Sequence, residues 1–320
     1  FEYGDVNGWL HLDGAPVRGS VGLGVAHPMV ASDASVVVVS GELERVDLEE
    51  FVAITEQVGD RPVNWRLRNV RLGELVIGDT PVPDMRVDGE RRSEAAYLAF
   101  DSDMAAGELT NPDSGPLLLD LKHVRLPGYA PEEQAGGVSP LSAGGEVSAG
   151  EDPLHPHTMA TLPRADVTIA EAIVGEDHLG SWSFAVEPKE SGVAFTDIAA
   201  KLKGVDLTSP GGLWWDASHN RSSGEVRLSM GDLADVLPQW GYAPSLESEQ
   251  ASIEAALSWP GSPLNIAIEG LAGSLEFGAD NGRFLEADGS GALRIFSLLN
   301  FTAITKRLSF DFSDVVGKGV

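Results

Sequence analysis

The chain contains no cysteine. Disulfides, thiolate metal sites and cysteine nucleophiles are therefore excluded, and the absence suits an oxidising compartment. Basic residues are also scarce. Lys and Arg number 22 against 49 Asp and Glu, a formal net charge of −27. Phosphate backbones need a basic footprint and none is visible, so nucleic acid is not an expected partner. There is no long Lys/Arg run to hold an anionic membrane surface. No apolar run approaches the roughly 18 residues that a membrane-spanning helix needs, and no signal peptide is present. Strand-like sequence at both ends leads us to expect a segment of a longer chain, with any anchor or targeting segment outside it.

What is present points to a β protein. The 320 residues are 42% hydrophobic, enough for a substantial core, and the 37 glycines and 19 prolines favour a turn-rich architecture. Residues 1–60 read as strands followed by a short helix. Val36 to Val39 is a β-branched run of the buried-strand type, and Asp47 reads as an N-cap with Glu50 completing a capping box. Residues 61–127 read as strands: Trp65 and Leu67 alternate, then Val70 and Leu72, then Leu75 and Ile77. Residues 128–161 are rich in Gly, Pro, Ser and Glu without period, and read as a flexible loop. Residues 162–241 return to strands and end in a short helix whose apolar face is Leu233, Val236, Leu237 and Trp240, limited by Pro238 and stopped by Gly241. Residues 242–320 read as a meander carrying an apolar helix at 293–306. In it, Ile253, Ala255, Leu257 and Trp259 lie on one face, then Leu264 and Ile266 alternate. Near the end, Leu308, Phe310 and Phe312 oppose Ser309, Asp311 and Ser313.

Weak internal similarity links Val70–Asp79 to residues 167–176, so we expect repeated strand units. Strict alternation gives such a sheet one apolar and one polar face. The predicted helices are too few to cover the apolar face. The sheet must curl into a groove or gutter, pack on a second sheet, or fill its interior with its own side chains. The fold expected is mainly β: an elongated, strongly curved antiparallel sheet of repeated strand units with a few short helices.

Motifs for chemistry are lacking. His155 and His157 are the only close histidine pair and lie in the predicted loop, so no metal site is expected. Gly19-Ser-Val-Gly-Leu-Gly lacks the Lys-Ser/Thr of a phosphate loop, and there is no G-x-S-x-G elbow. No catalytic residue and no cofactor is expected, and the chain reads as a non-enzyme. Asn220-Arg221-Ser222 fits a glycosylation sequon. Trp182, Trp214, Trp215, Trp240 and Trp259 read mostly as core or sheet-surface residues; the Trp214-Trp215 pair, if in a strand, places one ring on each face and could mark a rim or a sugar-stacking site.

From about Leu179 onward the chain resembles the YhdP family of AsmA-like proteins. The matching words are Leu179-Gly-Ser-Trp-Ser-Phe, Gly231-Asp-Leu-Ala-Asp-Val-Leu, Trp240-Gly-Tyr-Ala-Pro-Ser-Leu-Glu-Ser, Leu257-Ser-Trp-Pro-Gly-Ser-Pro-Leu-Asn, Gly273-Ser-Leu-Glu-Phe, Gly282-Arg-Phe-Leu-Glu, Gly291-Ala-Leu-Arg-Ile-Phe-Ser-Leu-Leu-Asn-Phe and Arg307-Leu-Ser-Phe-Asp-Phe-Ser-Asp. The resemblance implies an internal segment of a bridge-like periplasmic protein, held at the inner membrane by a segment outside this chain. It implies a β-groove carrying phospholipid between the inner and outer membranes and supporting outer-membrane integrity. The partners implied are phospholipid acyl chains, the rest of the same chain and envelope proteins. On this reading the groove is lined by Trp182, Phe184, Val186, Phe195, Ile253, Leu257, Leu264, Ile266, Phe310 and Phe312. The helix at 293–306 would dock in or across the groove. Two other readings stay open: a scaffolding β protein with a filled core, and a carbohydrate-binding β domain using Trp214 or Trp215.

Overall fold

A computed structural model of the chain describes residues 2–3, 6–11, 17–24, 36–47, 64–77, 80–92, 94–126, 152, 159, 162–244, 246–265 and 270–284. The protein is mainly β, as expected, and divides into two compact units. The first comprises residues 1–126 and 164–173, and the second residues 127–163 and 174–320.

The first unit is one sheet of β1 (Glu2–Tyr3), β2 (Val6–His11), β3 (Arg18–Leu23), β4 (Val37–Asp47), β5 (Trp65–Ile77), β6 (Thr80–Arg92), β7 (Ala95–Asp101), β8 (Ala105–Pro112), β9 (Leu117–Leu126) and β10 (Ala165–Ile169), each paired with the next. The expected antiparallel sheet is in fact mixed: β3–β4, β4–β5 and β9–β10 are parallel. A parallel join needs a long crossover where an antiparallel one needs only a tight turn. The intervening stretches, 24–36, 48–64 and 127–164, supply that length. The predicted loop at 128–161 therefore falls in the connection that lets β10 lie parallel to β9. The helix expected after Asp47 lies outside the described residues.

Register across this sheet sorts the side chains cleanly. Leu67, Gly89, Leu98, Leu109, Leu119 and Val167 are successive cross-strand partners, and so are Val70, Val87, Phe100, Gly107, Leu121 and Ile169. These rows share the apolar face. The opposite face carries exposed or half-buried ion pairs between neighbouring strands, Arg71 with Glu42 at 3.2 Å, Arg45 with Glu74 at 2.8 Å and Arg66 with Glu90 at 3.3 Å. Leu67 and Val70 are three residues apart yet share a face. A bulge at Asn69, with φ of 49° and its N–H donating to Asp88 Oδ1 at 2.8 Å, absorbs the extra residue. Val70, Leu72, Val82 and Met85 form the buried cluster, with Leu43, Val46 and Leu75 packed against it. The look-alike segments fold differently: Val70 to Ile77 is part of one continuous strand, whereas 167–174 is broken into β10 and β11 (Ala172–Val174).

After β11 and the two-residue β12 (Asp177–His178), the second unit is antiparallel throughout. Its sheet runs β13 (Ser181–Lys189), β14 (Gly192–Leu202), then β15 (Val205–Thr208) and β16 (Leu213–Asp216) end to end in one strand position. β17 (Arg221–Met230), β19 (Gln250–Pro260) and β20 (Ala272–Asp280) complete it. β18 (Leu246–Glu247) pairs separately with β21 (Arg283–Phe284).

Helix α1 (Leu233–Gln239) forms where the sequence placed it. Asp232 is extended, and its carboxylate accepts from Ala234 N–H at 2.9 Å. The same oxygen accepts from Ser248 N–H at 3.0 Å, tying the helix start to the chain beside β18. At the other end Gly241, at φ 80°, donates to Pro238 O while Tyr242 donates to Leu237 O, the two bonds of a Schellman stop. These backbone bonds hold the Asp232 carboxyl below its ordinary value of 3.8, Ser248 first and Ala234 second. A depressed carboxylate stabilises the fold above its unfolded value and loses that contribution as pH falls through the folded one. The amide resonances of Ser248 and Ala234 should therefore titrate together, with a midpoint below 3.8 that disappears in Asp232→Asn. A midpoint at or above that value would show that the cap is not charged in the way described.

Candidate functional site

The six paired strand positions of the second unit place one face in register from β13 to β20. The rows run across the strands. Val193, Trp215, Ser222 and Trp259 are successive partners in the first. Val186, Phe195, Leu213, Gly224, Leu257 and Gly273 follow in the second. The third includes Phe184, Val226, Ala255 and Leu275, and is interrupted where the Ser209–Gly212 turn separates β15 from β16. Trp182, Ala200, Leu207, Leu228, Ile253 and Phe277 make the fourth, and Leu202, Val205, Met230, Ala251 and Ala279 the fifth. Ser222 is the one polar side chain in these rows.

The two outer rows are covered by different means, the fifth only in part, since Met230 is half-buried and Ala279 exposed. In the first, Trp215 and Val193 are 0% exposed and Trp259 1%. Their polar atoms are all matched: Trp215 Nε1 donates to Asn220 Oδ1 at 3.0 Å, Trp259 Nε1 to Ser262 O at 2.9 Å, and Ser222 Oγ to Gly261 O at 2.8 Å. Asp152 clasps this end from outside the sheet, accepting from Ser262 N–H at 2.7 Å and Ser262 Oγ at 2.5 Å. At the opposite end α1 lies over the fifth row. Val236 packs with Ala200, Leu202 and Val205, and Leu233 with Ala251 and Leu246.

Between these walls the face is not closed. Phe184, Phe195, Leu213, Val226, Leu228, Ile253, Ala255, Leu257, Leu275 and Phe277 are all only half-buried. The Phe184 and Phe195 rings meet at a tilt with centroids 6.4 Å apart. The reverse of the same strands is polar, with Ser181, Ser183, Glu187, Arg227, Ser252, Glu254 and Glu276. Arg227 and Glu254 pair there at 2.8 Å. A contiguous, partly open apolar band with polar residues at its margins is the kind of surface that can take a ligand or a partner.

The charged groups whose titration is perturbed stand apart from the band. Asp177 is held down by its bond and charge contact with Lys203, and Asp216 by His219 and the backbone N–H groups beside it. These are turn and helix-end contacts. Among the described residues, no three His, Asp or Glu side chains gather as a metal site would require.

Comparison with known proteins adds one finding. The family model described as YhdP protein matches residues 4–320. The chain belongs to the YhdP family. No curated protein and no solved structure matches it. The family match takes in the first 178 residues, where the sequence of this YhdP chain has no distinctive words of its own.

Of the lining residues expected from sequence, the structure brings Trp182, Phe184, Val186, Phe195, Ile253 and Leu257 onto one face. Leu264 is not on that strand face: it sits in the turn after β19 and is 50% exposed, because Pro260 and Gly261 end the strand first. Ile266, Phe310, Phe312 and the helix at 293–306 lie outside the described residues. Sequence reasoning missed Leu213, Val226 and Leu228, although Val226, Leu228 and Met230 alternate as plainly as the residues it chose. The general reading of the tryptophans as core or sheet-surface residues holds for Trp215, which is fully buried. A fully buried ring cannot stack on a sugar, so Trp215 is withdrawn as a sugar site. Trp214 stands alone on the other face, half-buried over Gly192. The Asn220 sequon fares no better, since its carboxamide is engaged by Trp215 and Ser222 is 0% exposed. Trp215→Ala should lower unfolding stability by about 3–5 kcal/mol in urea, and Trp214→Ala by much less. Equal losses would contradict the sealed wall.

Proposed function

We propose that this YhdP-family chain is a segment of a periplasmic, phospholipid-conducting β protein, held at the inner membrane by sequence outside this chain, and that acyl chains lie on the open apolar band of the second unit. The observation that carries the reading is the contrast within one face. Its first row is buried around Trp215 and Trp259, and α1 covers Leu202, Val205 and Ala251 of the fifth, while most apolar side chains of the rows between them, Val186 and Ala200 excepted, remain only half-buried. A filled scaffold core would give no reason for that contrast.

The geometry sets how a lipid would sit. The tryptophan row and α1 wall most of the two strand-direction ends, which favours an acyl chain lying across the strands, along the rows. Each buried methylene contributes roughly 0.8 kcal/mol, which holds a chain well over several strands. Residues within a row repeat at the strand spacing of about 4.8 Å, so the surface is nearly uniform along a row. A uniform apolar track lets a chain shift by one strand without large barriers, and movement needs no chemistry from the protein. The headgroup stays in water. Family membership supports the cargo and the setting, and the band supports the contact.

Leu257→Asp, in the second row, should abolish phospholipid carried through purification, read by native mass spectrometry, while the circular dichroism of the sheet persists. Ser252→Asp, on the polar reverse of the same strand, should leave bound lipid unchanged. Lipid retained in full by Leu257→Asp would overturn the assignment of the band and favour a scaffold.

A further inference from the structure

Among the described residues, the cations of the second unit are nearly all taken. Lys189 pairs with Glu187 at 2.7 Å, Lys201 with Asp206 at 3.2 Å, Lys203 with Asp177 at 2.7 Å, Arg227 with Glu254 at 2.8 Å and Arg283 with Glu247. Arg221, the remaining Lys or Arg among the described residues of this unit, donates to Ser258 Oγ at 3.4 Å. Carboxylates are in excess at both borders of the apolar band. Asp232, Asp235, Glu247, Glu249 and Asp280 stand at the α1 end, where Arg283 pairs with Glu247 and Lys203, paired with Asp177, lies 5.4 Å from the centroid of the Trp240 ring. Asp152, Asp216 and Glu190 stand at the tryptophan end.

Exposed pairs of this kind are individually weak, so their strength is not what matters. What matters is that the described cations of this unit other than Arg221 already sit beside carboxylates, and the surplus is negative, as in the whole chain at −27. Any headgroup that stays in water at the border of the band feels that field. A phosphate with no cation of its own is repelled, and among the described residues of this unit it finds no lysine without a carboxylate partner. An ammonium attached to the phosphate reverses the sign of the contact nearest the protein.

We infer that the lipid held on this face carries a zwitterionic, ammonium-bearing headgroup and that net-anionic lipids are discriminated against. The inference rests on the lipid reading above. Border potentials of several kT correspond to roughly a tenfold preference per unit charge at low salt, and screening over about 8 Å at physiological ionic strength reduces it.

The test uses the full chain in buffer free of divalent cations. It is incubated with vesicles of equal parts phosphatidylethanolamine and phosphatidylglycerol bearing identical acyl chains, and the protein-bound lipid is then quantified. Bound phosphatidylethanolamine should exceed phosphatidylglycerol by about tenfold at low salt, and the ratio should fall towards one in high salt. The double variant Asp235→Lys, Glu249→Lys changes exposed residues that neither cap α1 nor face the band. It should reduce the low-salt ratio at least about twofold. A bound ratio equal to that of the vesicles, or enriched in phosphatidylglycerol, overturns the headgroup inference while leaving the lipid reading intact. Uptake of neither lipid overturns both.

Discussion

Everything in the second unit depends on strand alternation being kept in phase across β13 to β20. One residue of slip in any strand would move its whole apolar set to the polar side. The phase survives two disturbances. β14 carries a bulge at Asp197, with φ of 52°, and the strand between β14 and β17 is broken into β15 and β16. In each case the register resumes with apolar residues on the same face. The break is secured by side chains and not by chance: Ser209 Oγ donates to Glu225 O, and Ser209 N–H to Ile198 O. Gly212, at φ 71°, is then forced to lack a side chain, since a Cβ would sit 2.5 Å from Phe195 O.

A continuous apolar face raises the question of coverage, and coverage separates a core from a site. The Trp215–Trp259 row is a core by every measure: no exposure, matched polar atoms, and a clasp from Asp152. The α1 end is a core of a cheaper kind. Seven residues with a proline inside cannot hold a helix by themselves, so α1 depends on its caps and on the apolar rows beneath it. Together the two ends rigidify a sheet that would otherwise be a single layer, and the rows between them can stay open without loss of the fold. The first unit reaches a comparable result differently. Its buried cluster lies around Val70, Leu72, Val82 and Met85, and the rows through Leu98 and Leu109 are half-buried.

Much of this was legible in the sequence, because period-two alternation is local. The facing of Ile253 to Trp259, the placement of α1 and its Gly241 stop, and the mainly β class all follow from neighbours within a few residues. Even the Asn69 bulge is written in the three-residue step from Leu67 to Val70. The parallel pairings were not legible. A long polar stretch such as 128–161 says only that the chain travels, and β9 and β10 could be joined in either sense until register is known. That Trp215 and not Trp214 is the sealed ring was not legible for a related reason. Its partners, Val193 and Ser222, are set by pairing and not by proximity in the chain, and Asp152 lies farther away still. Alternation tells which face a residue is on. It does not tell whether that face is covered at that row.

The acidity then becomes part of the same problem. A half-open apolar band is a liability in a protein free to meet copies of itself, since two such bands would bury each other as readily as either would take a lipid. Cross-strand pairs such as Arg227–Glu254 use up the basic residues on the reverse face, where they also satisfy the ladder of neighbouring strands. What is left over is a surplus of one sign at the borders, and like charges oppose face-to-face association over about a Debye length. The band itself needs only contact range to gain its 0.8 kcal/mol or so per methylene. Repulsion acting at distance and attraction acting at contact do not cancel. A thin, uncharged acyl chain can reach a surface from which a second acidic protein is held back.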